Sequence, residues 1–280
     1  MVIASLPSPS RGIYYFGPLP LHAYGLALAV GILVAARVGQ RRWVARGHPA
    51  TEFADLVIRV VIAGIVGARL YHVVSDFQLF TGDPWKIVAI WQGGLSIWGA
   101  VAGGAIAVAV LARRRNLDAG DLVDSIAPAV ALGQAIGRWG NWFNQEIFGE
   151  PTTLPWGLEI DQVHRPQGYE HFATFHPTFL YESLYALMVF AVLVWMERRF
   201  RLVKGQVCDA YVGLYTAGRF VFENMRIDPA HTIGPLRLNA WVSLFAFAAG
   251  WSWFLYLGRR ERATQTMEPD DRDQSRSPTT

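Results

Sequence analysis

Long apolar runs closed by basic clusters at alternate gaps constrain this chain more than any other feature. A helix needs about 20 residues to cross a bilayer, and on that criterion we read spans at about 20–40, 55–75, 86–112, 121–144, 178–197, 206–225 and 237–258. Hydrophobic residues make up 52% of the chain and charged residues 17%, and the mean hydropathy is +0.23. The expected fold is an all-α polytopic membrane protein with seven transmembrane helices and a small extracytoplasmic head. Arg41, Arg42 and Arg46 follow span one, and Arg113, Arg114 and Arg115 follow span three. Arg198, Arg199, Arg201 and Lys204 follow span five, and Arg259, Arg260 and Arg262 follow span seven. The other gaps are richer in acids, among them Asp76, Asp83, Glu150, Glu159, Asp161 and Glu170. By the positive-inside rule the N-terminus is outside and the C-terminus cytoplasmic.

This divides the chain into an extracytoplasmic N-terminal segment (1–18), a transmembrane catalytic domain (19–258) and a cytoplasmic tail (259–280) expected to be disordered. The connection at about 150–175 has no spanning run, and its aromatics Trp156, Tyr169, Phe172 and Phe175 favour an ordered external head or lid. The first residues lack the pattern of a cleaved signal peptide, so the first helix reads as an uncleaved anchor. The formal net charge of +3 comes from these arginine clusters, which argues against a nucleic-acid face. The one cysteine, Cys208, excludes an intrachain disulfide and a cysteine zinc site, and reads as a small buried hydrophobe. Gly64 with Ala68, and Gly99 with Gly103, have the spacing of close helix–helix contacts.

The stretch 137–149, Gly-Arg-Trp-Gly-Asn-Trp-Phe-Asn-Gln-Glu-Ile-Phe-Gly, puts several polar groups at the end of an apolar run. A charge at mid-bilayer costs roughly 2.5–3.5 kcal/mol on insertion scales, so such residues usually mark function. On a continuous helix Arg138, Asn141 and Gln145 share one face, with Glu146 and Gly149 extending it. Span six repeats the device with Tyr215, Arg219, Glu223 and Arg226 at steps of four, four and three. Arginine–carboxylate pairs that merely tie helices together are the plain reading of either cluster alone. Two arginines at a similar depth on two spans suit a phosphate, which the guanidinium fork grips with paired hydrogen bonds. Glu146 and Glu223 are the expected carboxylates behind the two forks. His176, opening span five, titrates near neutral pH or caps the helix. Tyr24 is an interfacial aromatic or a donor to the ligand. Ser96, in Gly94-Leu95-Ser96-Ile97-Trp98-Gly99, lacks both the nucleophile-elbow glycine and a partner histidine. We find no carboxylate or histidine cluster with metal spacing, and expect no metal and no external cofactor. A transporter or flippase for an anionic lipid is the rival class. Against it, the polar residues cluster at one depth and no paired repeats are evident.

These residues resemble the prolipoprotein diacylglyceryl transferases of bacterial inner membranes. The resemblance rests on Gly137 to Gly149, on His22, Tyr24 and Gly25, on Trp91-Gln92-Gly93-Gly94-Leu95-Ser96, on His176-Pro177 with Tyr181-Glu182, and on the Tyr215, Arg219, Glu223 face. It implies a seven-helix enzyme of the bacterial plasma membrane with its active site near the outer leaflet. The implied substrates are phosphatidylglycerol and the lipobox cysteine of a prolipoprotein, among membrane lipids. The sulfur attacks the phosphate-bearing carbon of the diacylglyceryl group and displaces the phosphate, giving a thioether and glycerol phosphate. By position, Arg138 and Arg219 resemble the essential headgroup arginines, and Tyr24, Asn141, Glu146, Gly149 and Glu223 match further positions on which the family relies. We add Asn144 and Tyr215 as substrate-binding candidates and His176 as a catalytic one. Many relatives carry Ser-Phe-His-Gly-Gly where this chain has Ser96-Ile97-Trp98-Gly99-Ala100, and that histidine has been proposed as the base. An indole cannot take the part. Our expectation is that the arginines stabilise the thiolate electrostatically, with His176 as the alternative base.

Overall fold

A computed structural model of the chain describes residues 5–90, 93–228, 230 and 232–267. The architecture is mostly helical. A hairpin of β1 (Ile13–Phe16) and β2 (Leu19–His22) leads into α1 (Ala23–Ala45), α2 (Ala50–Ser75), α3 (Ile97–Arg114), α4 (Ala119–Gly137) and the short α5 (Trp139–Asn144). Then follow β3 (Leu158–Glu159), β4 (Thr174–Phe175), α6 (Thr178–Arg199), α7 (Gln206–Met225), the small pair β5 (Thr232–Ile233) and β6 (Leu236–Arg237), and α8 (Leu238–Met267). Each strand pair is antiparallel. Among the described residues, three helices are long and apolar enough to cross a membrane: Ala23–Ala45, Thr178–Arg199 and Leu238–Thr264. The chain forms two compact units, one of residues 36–125 and the other of the flanking residues.

Within the 36–125 unit, α2 and α3 pack backbone to backbone. A Cβ on Gly99 would lie 2.2 Å from the Gly67 carbonyl oxygen, and one on Gly103 would lie 2.4 Å from that of Ala63. Gly99 and Gly103 thus do what their spacing suggests, but their partner on α2 is Gly67; Gly64 has looser contact. The third span starts later than the apolar pattern predicts. Residues 84–87 form a 3-10 turn, and Gly93 and Gly94 take φ of 90° and 75°, which breaks any helix through them. Arg69, buried on α2, holds this segment: its Nε donates to the Ile87 carbonyl at 2.9 Å and its Nη1 to those of Gly93 and Gly94 at 2.7 and 2.8 Å. The Ser96 backbone amide donates to the Ala68 carbonyl at 3.1 Å just before α3 begins. Trp91 and Gln92 lie outside the described residues. Near the other end of this unit, Trp43 is fully buried and stacks on His48, which pairs with Asp121 at 3.0 Å.

In the other unit, α7 and α8 pack closely through Gly213 and Gly250, where a Cβ on Gly213 would meet the Trp251 indole at 2.5 Å. Gly31 of α1 sits equally close to Gly133 of α4. The segment between α5 and α6 is ordered, as its aromatics suggest, around a core of Phe148, Leu158, Ile160, Phe175 and Phe179. Trp156 and Phe172 stay about half exposed at its surface. The N-terminal residues are strapped to it, since Leu6 pairs in parallel with Leu158 and the Trp142 indole donates to the Pro7 carbonyl at 3.1 Å. Two expectations need correction here. Helix α8 runs to Met267, past the expected start of the tail, and residues 268–280 lie outside the described ones. Cys208, in the first turn of α7, is only partly buried.

Candidate active site

The fourth apolar run does not continue to residue 144 as one helix. It breaks at Arg138, which ends α4 and caps α5, and α5 ends at Gln145 in the left-handed region with φ 50°. Ile147 follows with φ 59°, an outlier for a β-branched side chain. Glu146 is held between these two strained residues, and such strain survives only where surrounding bonds over-determine it. The bonds are there. The Gln145 amide donates to Asp161 Oδ2 at 2.7 Å and to the Pro9 carbonyl at 3.1 Å, while its oxygen accepts from the Asp161 backbone amide at 2.8 Å. Thr178 Oγ1 donates to the Ile147 carbonyl. Gln145 therefore leaves the helix face shared by Arg138 and Asn141 and staples the loop to the segment beyond it.

Glu146 also differs from its expected place behind Arg138. Its Oε1 accepts from the side-chain amides of Asn141 at 2.9 Å and Asn144 at 3.1 Å. These three residues make one polar knot at the C-terminal end of α5. The carboxylate on Arg138 is Glu182 of α6, at 2.6 Å from Nη2. Arg219 of α7 reaches the same Glu182 oxygen at 3.9 Å. The two arginines therefore converge. With Gln134, Glu182, Tyr185 and Tyr215 they line a narrow cleft. Tyr215 stacks on Tyr211, whose hydroxyl donates to Gln134 at 3.1 Å.

Behind Arg219 the structure adds charges that spacing alone does not reveal. Glu223 is buried and lies 2.6 Å from Arg219 Nη2, 3.6 Å from Arg226 and 3.4 Å from Arg237. Asn239 donates to its Oε1 at 3.2 Å. Asp228 closes the chain of charges, accepting from Arg226 Nε and Nη2 at 2.7 and 2.8 Å. Burial alone would raise the Asp228 pKa; the Arg226 fork and the Arg237 charge outweigh it and hold the carboxyl below its ordinary value. Glu182, Asp228 and Arg237 are the functional candidates missed in the sequence. Glu182 was visible only as the residue after Tyr181, and Arg237 stands on a short strand with no helical period to place it.

Tyr24, in the first turn of α1, lies over Gly140, where a Cβ would fall 2.6 Å from the ring. That glycine brings the tyrosine beside the α4–α5 junction. Gly149 donates to the His176 carbonyl at 3.0 Å and bridges to Arg226. A Cβ there would lie 3.0 Å from the Met225 carbonyl oxygen, so close packing against the ends of α6 and α7 explains the glycine. His176 Nδ1 lies 3.2 Å from the Tyr181 hydroxyl, which accepts from the Trp156 indole at 2.9 Å. His176 is not among the residues lining the cleft.

Comparison with known proteins shows which family the chain belongs to. The family model described as prolipoprotein diacylglyceryl transferase matches residues 11–256. The chain belongs to this family. It is 49% identical, over 88% of its length and 79% of the relative's, to phosphatidylglycerol–prolipoprotein diacylglyceryl transferase 2 of Streptomyces coelicolor. It is 48% identical to the corresponding protein of Cutibacterium acnes, over 91% of this chain and 88% of that one. A Streptomyces griseus relative of the same name is 44% identical over 96% of the chain and 83% of the relative. The diacylglyceryl transferase match takes in both arginines, Glu182, Glu223 and the strained 145–147 segment.

Proposed function

We propose that this chain transfers the diacylglyceryl group of phosphatidylglycerol to the lipobox cysteine of prolipoproteins, forming a thioether and releasing glycerol phosphate. The reading rests above all on one observation: Arg138 and Arg219, from different helices, meet at Glu182 in a single cleft. Phosphate is a poor leaving group until its developing charge is neutralised, and donors fixed in advance in a water-poor site do this best. Each guanidinium carries five N–H donors and spends one edge on a carboxylate. A phosphate entering the cleft competes with Glu182 for these forks. The sulfur attacks the glyceryl carbon, the carbon–oxygen bond breaks, and the electron pair leaves with the phosphate. No cofactor is needed for such a displacement.

In this reading Arg138 and Arg219 hold the phosphate and favour the thiolate of the incoming cysteine. Glu223 fixes Arg219. Tyr24 and Asn141 offer hydrogen bonds to glycerol or phosphate oxygens, with Asn144 and Glu146 keeping the asparagine amides in place. Tyr215 gives one wall of the lipid site, and Gly149 lets the ends of α6 and α7 close on it. We place the protein in the bacterial plasma membrane with seven spans, the basic ends cytoplasmic, and the site near the outer leaflet under the 150–175 head. The motive is the alternation of arginine clusters along the sequence.

The test is a mass assay with purified protein, phosphatidylglycerol and a synthetic lipobox peptide. The expected product is heavier by one diacylglyceryl group and is absent when the cysteine is serine. An unmodified peptide, with protein that is folded and retains the lipid, would refute transfer and favour transport of an anionic lipid.

A further inference from the structure

Glu182 is the one carboxylate among the residues that line the cleft. It is buried in the first turns of α6. Its Oε2 faces Arg138 at 2.6 Å and Arg219 at 3.9 Å. Its Oε1 is buried and has no hydrogen-bond partner among the described residues. A buried carboxylate oxygen left without a donor is costly, and natural structures keep such groups where chemistry needs them. Glu223 also has an oxygen without a hydrogen-bond donor, but it is ringed by Arg219, Arg226, Arg237 and Asn239 and stands outside the cleft lining.

We propose that Glu182 is the proton acceptor for the attacking thiol, which rests on the transferase reading above. Glu182 sits between the two guanidiniums where the lipid phosphate is to bind, so the two anions compete for the same donors. When the phosphate takes the forks, Glu182 loses its counter-charges and gains an anionic neighbour. A like charge nearby in a water-poor site favours a proton on the carboxylate. The charged and titratable groups around it are Arg138 from the α4–α5 junction, Arg219 and Tyr215 from α7, Tyr185 from α6 and, at longer range, Arg226 just beyond α7. None of these is an available base at neutral pH. The step then balances. The S–H bond breaks and an O–H bond forms on Glu182. The sulfur pair forms the bond to the glyceryl carbon, and the C–O pair leaves with the phosphate. The proton passes from Glu182 to the departing phosphate, and the carboxylate returns to the arginines. Phosphatidylglycerol is thus the switch as well as the substrate.

The test compares the full chain with Glu182→Gln, using two lipobox peptides that differ in one atom, cysteine or selenocysteine. A selenol is ionised at neutral pH and needs no base. With the cysteine peptide the variant is expected to lose about 10²–10⁴-fold in turnover, the usual contribution of a positioned base. With the selenocysteine peptide it is expected to recover to within about tenfold of the unsubstituted protein. Phosphatidylglycerol should be retained through both. Equal losses on both peptides would overturn the proposal and make Glu182 a structural counter-ion. A cysteine rate within a fewfold of normal would overturn it too. Should Glu182→Gln fail to fold, Glu182→Asp carries the same comparison: it keeps a carboxylate at a longer reach, and the selenocysteine peptide must again recover more of the rate. Failure of the unsubstituted chain to modify either peptide sinks the transferase reading itself, and so is distinct from a failure confined to Glu182.

Discussion

Removing either cleft arginine should abolish transfer, but the two losses should cost the fold different amounts. Attraction between unit charges at an effective dielectric constant near 20 is roughly 6 kcal/mol at 2.6 Å, about 5 near 3.5 Å and about 4 near 3.9 Å. Glu223 draws on Arg219 at 2.6 Å, Arg237 at 3.4 Å and Arg226 at 3.6 Å. In Arg219→Ala it therefore keeps roughly two-thirds of its compensation. Glu182 forms ion pairs with Arg138 at 2.6 Å and Arg219 at 3.9 Å and feels Arg226 from farther off. In Arg138→Ala it keeps less than half. Orphaning a buried ion costs about 3–5 kcal/mol, and weakening one that keeps good partners costs about 1–3. Arg138→Ala belongs near the first range and Arg219→Ala near the second. For activity, loss of one donor to a developing oxyanion costs about 10²–10³ in turnover, and a full charge should cost at least that. Turnover is read from the peptide mass assay and stability from thermal unfolding of the same detergent-purified samples. A turnover above about a tenth of normal in either variant would refute the phosphate clamp. Greater destabilisation by Arg219→Ala than by Arg138→Ala would refute the charge accounting, even with both inactive.

Glu146→Gln should lower transfer about tenfold or more, since an amide oxygen accepts more weakly from Asn141 and Asn144 than a carboxylate does; the peptide assay reads this directly. His176→Gln should leave turnover within about tenfold, because His176 is bonded to Tyr181 away from the cleft lining. A severe loss together with a shifted alkaline limb would restore His176 as the base. Asp228 has its pKa lowered in the fold, so its stabilisation is full above the unfolded value of about 3.9 and is lost as pH falls through the lower folded value. Melting curves below about pH 4 should accordingly be flatter for Asp228→Asn than for the unsubstituted chain. Gly99→Val should destabilise by at least about 1–3 kcal/mol, because its Cβ would meet the Gly67 carbonyl at 2.2 Å and backbone cannot yield as a side chain does. An unchanged melting temperature would count against close α2–α3 packing.

Periodicity placed most helices within a few residues, because apolar composition over 20 residues is a summed signal that single positions hardly disturb. It failed where geometry turns on one residue. The third span was read through Gly93 and Gly94, whose left-handed backbone is invisible in a hydropathy pattern and depends on carbonyls gathered by Arg69, some 25 positions earlier. The fourth was read through Arg138, where the step tightens locally, the Asn141 amide donating to the Arg138 carbonyl at 3.1 Å, a change that a hydropathy pattern does not record. In the site, Arg219 and Glu223 were legible as a pair because both stand on one regular helix at a step of four. Arg138 and Glu182 were not, since their partnership joins two helices 44 positions apart. The error over Glu146 has the same origin: a carboxylate close in sequence was preferred to one close in space.

The two carboxylates also divide the work in a way no spacing could reveal. Glu223 is locked from behind by Arg226, Arg237 and Asn239, so Arg219 is held before any substrate arrives. Fixing a donor in advance means that no reorganisation is needed as charge grows on the leaving phosphate. Glu182 has no comparable support; its ion-pair partners are the two arginines that the phosphate itself requires. In the proposed mechanism one carboxylate anchors and the other is exchanged. If both were anchored, phosphate would have to displace a fully satisfied ion pair, and affinity for the lipid would suffer. If both were exchangeable, the arginines would need to be repositioned at each turnover. An arrangement with one of each binds an anion readily and still presents a fixed field to the transition state.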